Sequence, residues 1–91
     1  MSAIRDERHK RDLVLRLKRV EGQLRGIQSM IESGEECEKV AQQISASRRA
    51  LDKAFFNVLA CAIQAEPQAA GGRPAIDKRL KDAAELLARF G

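Results

Sequence analysis

Leu13-Val14-Leu15-Arg16-Leu17-Lys18-Arg19-Val20-Glu21-Gly22-Gln23-Leu24-Arg25-Gly26-Ile27-Gln28-Ser29-Met30-Ile31 places apolar residues at 13, 17, 20, 24, 27 and 31, in alternating steps of four and three. At about 100° per residue these positions fall within a stripe roughly 80° wide, which predicts an amphipathic α-helix. Ser33 and Gly34 predict its end, because glycine adopts the left-handed cap conformation at least cost. Beyond them, Val40, Ile44, Ser47, Leu51, Ala54, Val58, Cys61 and Ala65 repeat the same rhythm and predict a second helix from about Glu36 to Ala65, closed by Pro67. Residues 67–73, with Gly71 and Gly72, read as a loop, and Pro74 suits a first helical turn. Ile76, Leu80, Ala83, Ala84, Leu87 and Phe90 predict a short third helix, while the charged residues 1–12 read as an arm or as the first turns of the first helix. No strand pattern and no internal repeat interrupts this all-α reading.

Ninety-one residues make one domain, spanning 1–91, and so short a chain buries only about 60 to 65% of its unfolded surface. With no tryptophan or tyrosine and only Phe55, Phe56 and Phe90, its core must come from aliphatic residues on long helices. Two long helices joined by a short turn fold back antiparallel and leave an apolar stripe that a short third helix cannot cover. A four-helix bundle built by two chains would cover it, so a homo-oligomer is expected. Two widely spaced cysteines and no leader-like stretch suggest free thiols in a reducing, cytoplasmic setting, and no segment is long and apolar enough to cross a membrane.

The formal charge of +4 favours a polyanionic partner. On an ideal helix Arg5, Arg8, Arg16 and Arg19 share a stripe about 80° wide beside the apolar face. Arg48, Arg49 and Lys53 form a second cluster, which joins the first on one face of a bundle if the two helices pair antiparallel. No helix-turn-helix, zinc-finger or aromatic-rich RNA-binding pattern is present, so contact with DNA phosphates is the expected mode, with groove shape supplying selectivity.

Cys37 falls at the start of the second helix, where free amides attract an anion and Glu35, Glu36 and Glu38 repel one. Cys61 lies 24 residues further along the same helix, roughly 36 Å away, so the two thiols can meet only across chains. In an antiparallel pairing of two such helices, the start of one meets the end of the other at two equivalent sites. Ala62 and Glu66 share the helix face of Cys37, whereas Cys61 is turned away by about 120° and reads as an apolar seam residue. His9, in the charged arm, reads as solvent-facing. No paired Cys-x-x-Cys or His-x-x-x-His pattern exists, and Ser45 and Ser47 have no histidine nearby, so neither a preformed zinc site nor an enzyme is indicated.

The run from Arg16 to Ile27, followed by Cys37, Gln43-Ile44-Ser45-Ala46-Ser47 and Ala50-Leu51-Asp52-Lys53, resembles the CsoR/RcnR/FrmR repressors over about residues 11–66. The resemblance implies a three-helix protomer, an antiparallel four-helix-bundle dimer assembled as a dimer of dimers, and operator binding without a helix-turn-helix. It implies induction by copper(I), nickel or cobalt, formaldehyde or persulfide. By position, Arg16 and Lys53 match basic residues that members use for DNA, and Cys37 matches the cysteine on which sensing depends, facing the far end of the partner's middle helix. Departures from the pattern are Ala62 where metal-responsive members carry histidine, Glu66 where copper sensors carry a second cysteine, and Arg5 at the amino-terminal ligand position of nickel sensors. Glu66 is similar to the formaldehyde-responsive members, although Ser2 stands where those begin with proline.

The expectation is a DNA-binding transcriptional repressor, released by an inducer acting at Cys37, with Glu66 and Cys61 as the other sensing candidates. Its DNA contacts are expected from Arg16, Arg19, Arg48, Arg49 and Lys53. One cysteine and one carboxylate suit copper(I) poorly, which favours thiol chemistry of the formaldehyde or persulfide type. A transition-metal ion stays open as a cofactor, with Cys37, Glu66 and His9 as candidate ligands. The alternatives are a metal-responsive repressor with an atypical ligand set, or a helical interaction module whose thiols are inert.

Overall fold

The computed structural model describes residues 3–64 and 72–91. Three helices occupy them, α1 from Glu7 to Glu32, α2 from Cys37 to Gln64 and α3 from Gly72 to Phe90, with no strand among the described residues.

α1 starts earlier than its apolar rhythm because Asp6 caps it. The Asp6 Oδ1 accepts the backbone N–H of Arg8 at 2.8 Å and of His9 at 3.1 Å, satisfying two of the four amides that a helix start leaves unpaired. Those same bonds, first to His9 and then to Arg8, hold the Asp6 carboxyl below its usual range. The charged arm is thus helical from Glu7 onward.

The end of α1 follows the expected chemistry. Gly34 has φ of 80°, its N–H donates to the Ile31 carbonyl at 3.2 Å, and the Glu35 N–H reaches back to the Met30 carbonyl at 2.9 Å. This is the doubled bond pattern of a Schellman cap, completed by Ser33 Oγ donating to the Met30 carbonyl at 3.1 Å. A β-branched side chain cannot take that φ without strain. Gly34→Val therefore destabilises the chain by about 1 to 2 kcal/mol, read as a lowered urea midpoint with an unchanged slope, while Gly22→Ala, in mid-helix, does not.

The chain divides into two compact units, one of residues 12–54 and one of residues 1–11 with 55–91. In the first, the α1 and α2 segments run antiparallel, with Val20, Ile27 and Ala54 buried between them. Ser47 is only 3% exposed, and its hydroxyl donates to Gln23 Oε1 at 3.2 Å, so the one polar residue in the apolar series is satisfied across the hairpin. In the second unit Leu59 and Ala83 are buried. Leu59 lies off the rhythm of Val58 and Cys61, because the end of α2 shares its unit with α3 and needs a second packed face.

α3 begins at Gly72, inside the stretch expected to be loop. Pro74 is tolerated there because the first four N–H groups of a helix have no internal acceptor. The rest of the expected loop, residues 67–71, and the expected helix end at Ala65 lie outside the described residues.

Candidate functional site

Within the unit of residues 12–54 the expected apolar stripes are only half used. Val20 and Ile27 are buried, but Leu17, Leu24 and Ile31 on α1 and Ile44 and Leu51 on α2 stay 39 to 59% exposed. At about 100° per residue the exposed set of each helix lies on one flank of its buried line. Because the helices run antiparallel, the two flanks fall on the same side of the hairpin and make one continuous apolar edge.

The basic residues divide about the same line. Arg16 and Arg19 lie on the opposite flank of α1, and Lys53 on the opposite flank of α2. Counting outward from the Gln23–Ser47 bond in the antiparallel pair sets Arg16 level with Ala54 and Arg19 level with Leu51, so Lys53 stands at the same height as both. Arg48 does not join this trio, because it sits past the apolar edge. Arg49 precedes Lys53 by four residues and lies about 40° from it, toward the outer back of α2, where its guanidinium donates to Ser45 Oγ at 3.2 Å. The described ion pairs, Lys10–Glu7 at 3.5 Å and Lys39–Glu35 at 3.7 Å, engage none of these five cations. Arg16 is half-buried and its Nε is enclosed with no acceptor among the described residues, a state that costs about 1 to 3 kcal/mol unless an acceptor arrives.

Cys37 is the first residue of α2 and is exposed. Around it, Glu35 Oε1 accepts the Glu36 N–H at 3.1 Å and faces the Lys39 ammonium. Glu66, its expected neighbour across a two-chain assembly, lies outside the described residues.

Cys61 and His9 differ from their sequence expectations. Both are half-buried in the unit of residues 1–11 and 55–91, and the Cys61 Sγ lies 3.3 Å from His9 Nδ1. His9 is thus not solvent-facing, because the Asp6 cap draws the arm into α1 and turns the imidazole onto α2. Burial, and then the Asp6 carboxylate, push the Cys61 thiol above its ordinary range. The raised thiol stays protonated, and the tautomer of the His9 ring sets which of the two atoms donates. Sequence spacing could not pair residues 52 positions apart; the available signal was Asp6 standing as a capping residue directly before the helix. Among the described residues no three of His, Cys, Asp and Glu gather as a metal-binding group, and no helix is long and apolar enough to cross a membrane.

Residues 9–89 match the family model described as metal-sensitive transcriptional repressor. The chain is 41% identical over 80 residues to the copper-sensing transcriptional repressor RicR of Mycobacterium tuberculosis, covering 82% of this chain and 80% of that protein. It is 38% identical over 55 residues to the copper-sensing transcriptional repressor CsoR of Bacillus subtilis, covering 60% and 54% respectively. Among solved structures, the nickel-responsive transcriptional regulator InrS superposes with a TM-score of 0.76 at 28% identity, over 100% of this chain and 99% of that one.

Proposed function

Since the chain belongs to the metal-sensitive transcriptional repressors, we propose that it binds operator DNA as a cytoplasmic homo-oligomer and lets go when an inducer acts at Cys37. Members of the family are repressors, not enzymes. The observation that carries this reading is the segregation of one helical hairpin into an apolar edge and a basic face on opposite sides of a single buried seam.

A second copy covers the apolar edge. Leu17, Leu24, Ile31, Ile44 and Leu51 are each about half exposed, so burying the remainder contributes roughly 1 kcal/mol per side chain, or on the order of 10 kcal/mol over two copies. That is comparable to the roughly 4 to 15 kcal/mol that association costs. Pairing the edges leaves Arg16, Arg19 and Lys53 on the outward flank, where their cationic ends meet DNA phosphate. A dimer of dimers would present several such faces to one operator.

At Cys37 the exposed thiol is available to an electrophile or to a sulfur donor. With Ala62 and Glu66 in place of further soft donors, the inducer is thiol-reactive, of the formaldehyde or persulfide type, and not copper(I). The second reading, a metal-responsive repressor with an atypical ligand set, is favoured by the copper-sensing and nickel-responsive relatives. Exposing the DNA-bound protein to formaldehyde, polysulfide, copper(I) and nickel(II) in turn separates the two. Release by either of the first pair alone supports thiol chemistry, and release by a metal alone replaces it.

A further inference from the structure

The chain has one histidine and two cysteines, and the fold sets that histidine against a cysteine 52 positions away that is not the expected sensor. A hydrogen bond explains the contact at rest, but the geometry fits more than a hydrogen bond. A tetrahedral ion with metal–sulfur and metal–nitrogen bonds of about 2.3 and 2.05 Å holds its two donors roughly 3.5 Å apart. The observed 3.3 Å lies within a few tenths of an ångström of that separation. The donors come from different helices, His9 from α1 and Cys61 from α2, which makes the pair a chelate across the fold and not a local turn.

We propose that His9 Nδ1 and Cys61 Sγ chelate a borderline transition-metal dication of the zinc, cobalt or nickel class. Thiolate with imidazole is the donor pair such ions take. Binding replaces the thiol proton, which leaves to solvent, by the metal–sulfur bond; the imidazole lone pair fills a second position, and no electrons are transferred. The Asp6 carboxylate, whose negative charge helps keep the thiol protonated, favours an incoming cation for the same electrostatic reason. No third protein donor gathers among the described residues, so water or a donor from a second copy fills the remaining positions. The site is separate from Cys37, goes beyond the inducer reading above, and stands if Cys37 proves silent.

The test is a cobalt(II) titration of the reduced full chain, followed by thiolate-to-cobalt charge-transfer absorption and by melting temperature. The band should saturate at one ion per chain and the melting temperature should rise. Cys61→Ser should abolish the band, and His9→Gln should weaken binding by more than about 10-fold, beyond the lower range of losses seen when only a ligand's supporting partner is removed. Cys37→Ser should retain the band. Loss of the band in Cys37→Ser with its retention in Cys61→Ser places the thiolate ligand at Cys37 and overturns the proposal. Circular dichroism checks each fold, and His9→Gln provides an independent arm should Cys61→Ser lose helicity. A band that survives Cys61→Ser and His9→Gln unchanged, or no band at any cobalt concentration, overturns the proposal. Because DNA release plays no part in the readout, its outcome is distinct from that of the Cys37 reading.

Discussion

Cys37→Ser holds operator DNA within about twofold of the parent protein's affinity and no longer responds to the inducer. The first half follows from exposure: a surface substitution that disturbs no packed side chain changes stability by about 0.5 kcal/mol or less, and Cys37 is exposed at the first position of α2. The second half follows from chemistry, since serine occupies nearly the same space without a nucleophilic sulfur. In the parent the inducer's coupling to DNA is expected to weaken binding by roughly 5- to 150-fold, read by fluorescence anisotropy on the operator. In the variant that factor falls to one. If the variant is still released at the parent's inducer concentration, the sensing atom is elsewhere.

Arg16→Ala and Lys53→Ala weaken operator binding far more than Arg48→Ala. Arg16, Arg19 and Lys53 lie on the flank away from the open apolar edge. Hydrogen bonds to charged groups are worth about 1.5 to 3 kcal/mol, so each substitution should cost roughly 10- to 100-fold in affinity. The slope of log affinity against log salt should fall by about 0.9 for every phosphate that the protein no longer neutralises. Arg48, past the apolar edge, should leave that slope near its parent value when replaced. Equal effects at all three positions would dissolve the distinction between the faces.

Much of this was legible in the sequence. The four-and-three rhythm from Leu13 to Ile31 and from Val40 to Val58 located both long helices, and the need of a left-handed cap for glycine placed the turn at Gly34. Rhythm alone could not say which members of a stripe are buried within the chain. That depends on how two helices lean together, and it decides that Val20 and Ile27 are enclosed while Leu17 and Leu24 remain open. Spacing alone puts Arg48 about 140° from Lys53 around α2, but which of them faces the open edge depends on that same packing. The capping bonds of Asp6 extended α1 into the charged arm, and only that extension brings His9 to Cys61. At α3, Gly71 and Gly72 read as loop, yet the helix already includes Gly72. The position of Cys37 was legible because a helix start is a local feature.

The proposed repression and sensing both require that the apolar edge formed by Leu17, Leu24, Ile31, Ile44 and Leu51 be closed by another copy of the chain. Sedimentation equilibrium of the reduced protein without DNA, at micromolar concentration, measures this directly. The predicted result is a mass of two or four chains with no appreciable 10.1 kDa species. A single-chain mass across the concentration range would contradict it.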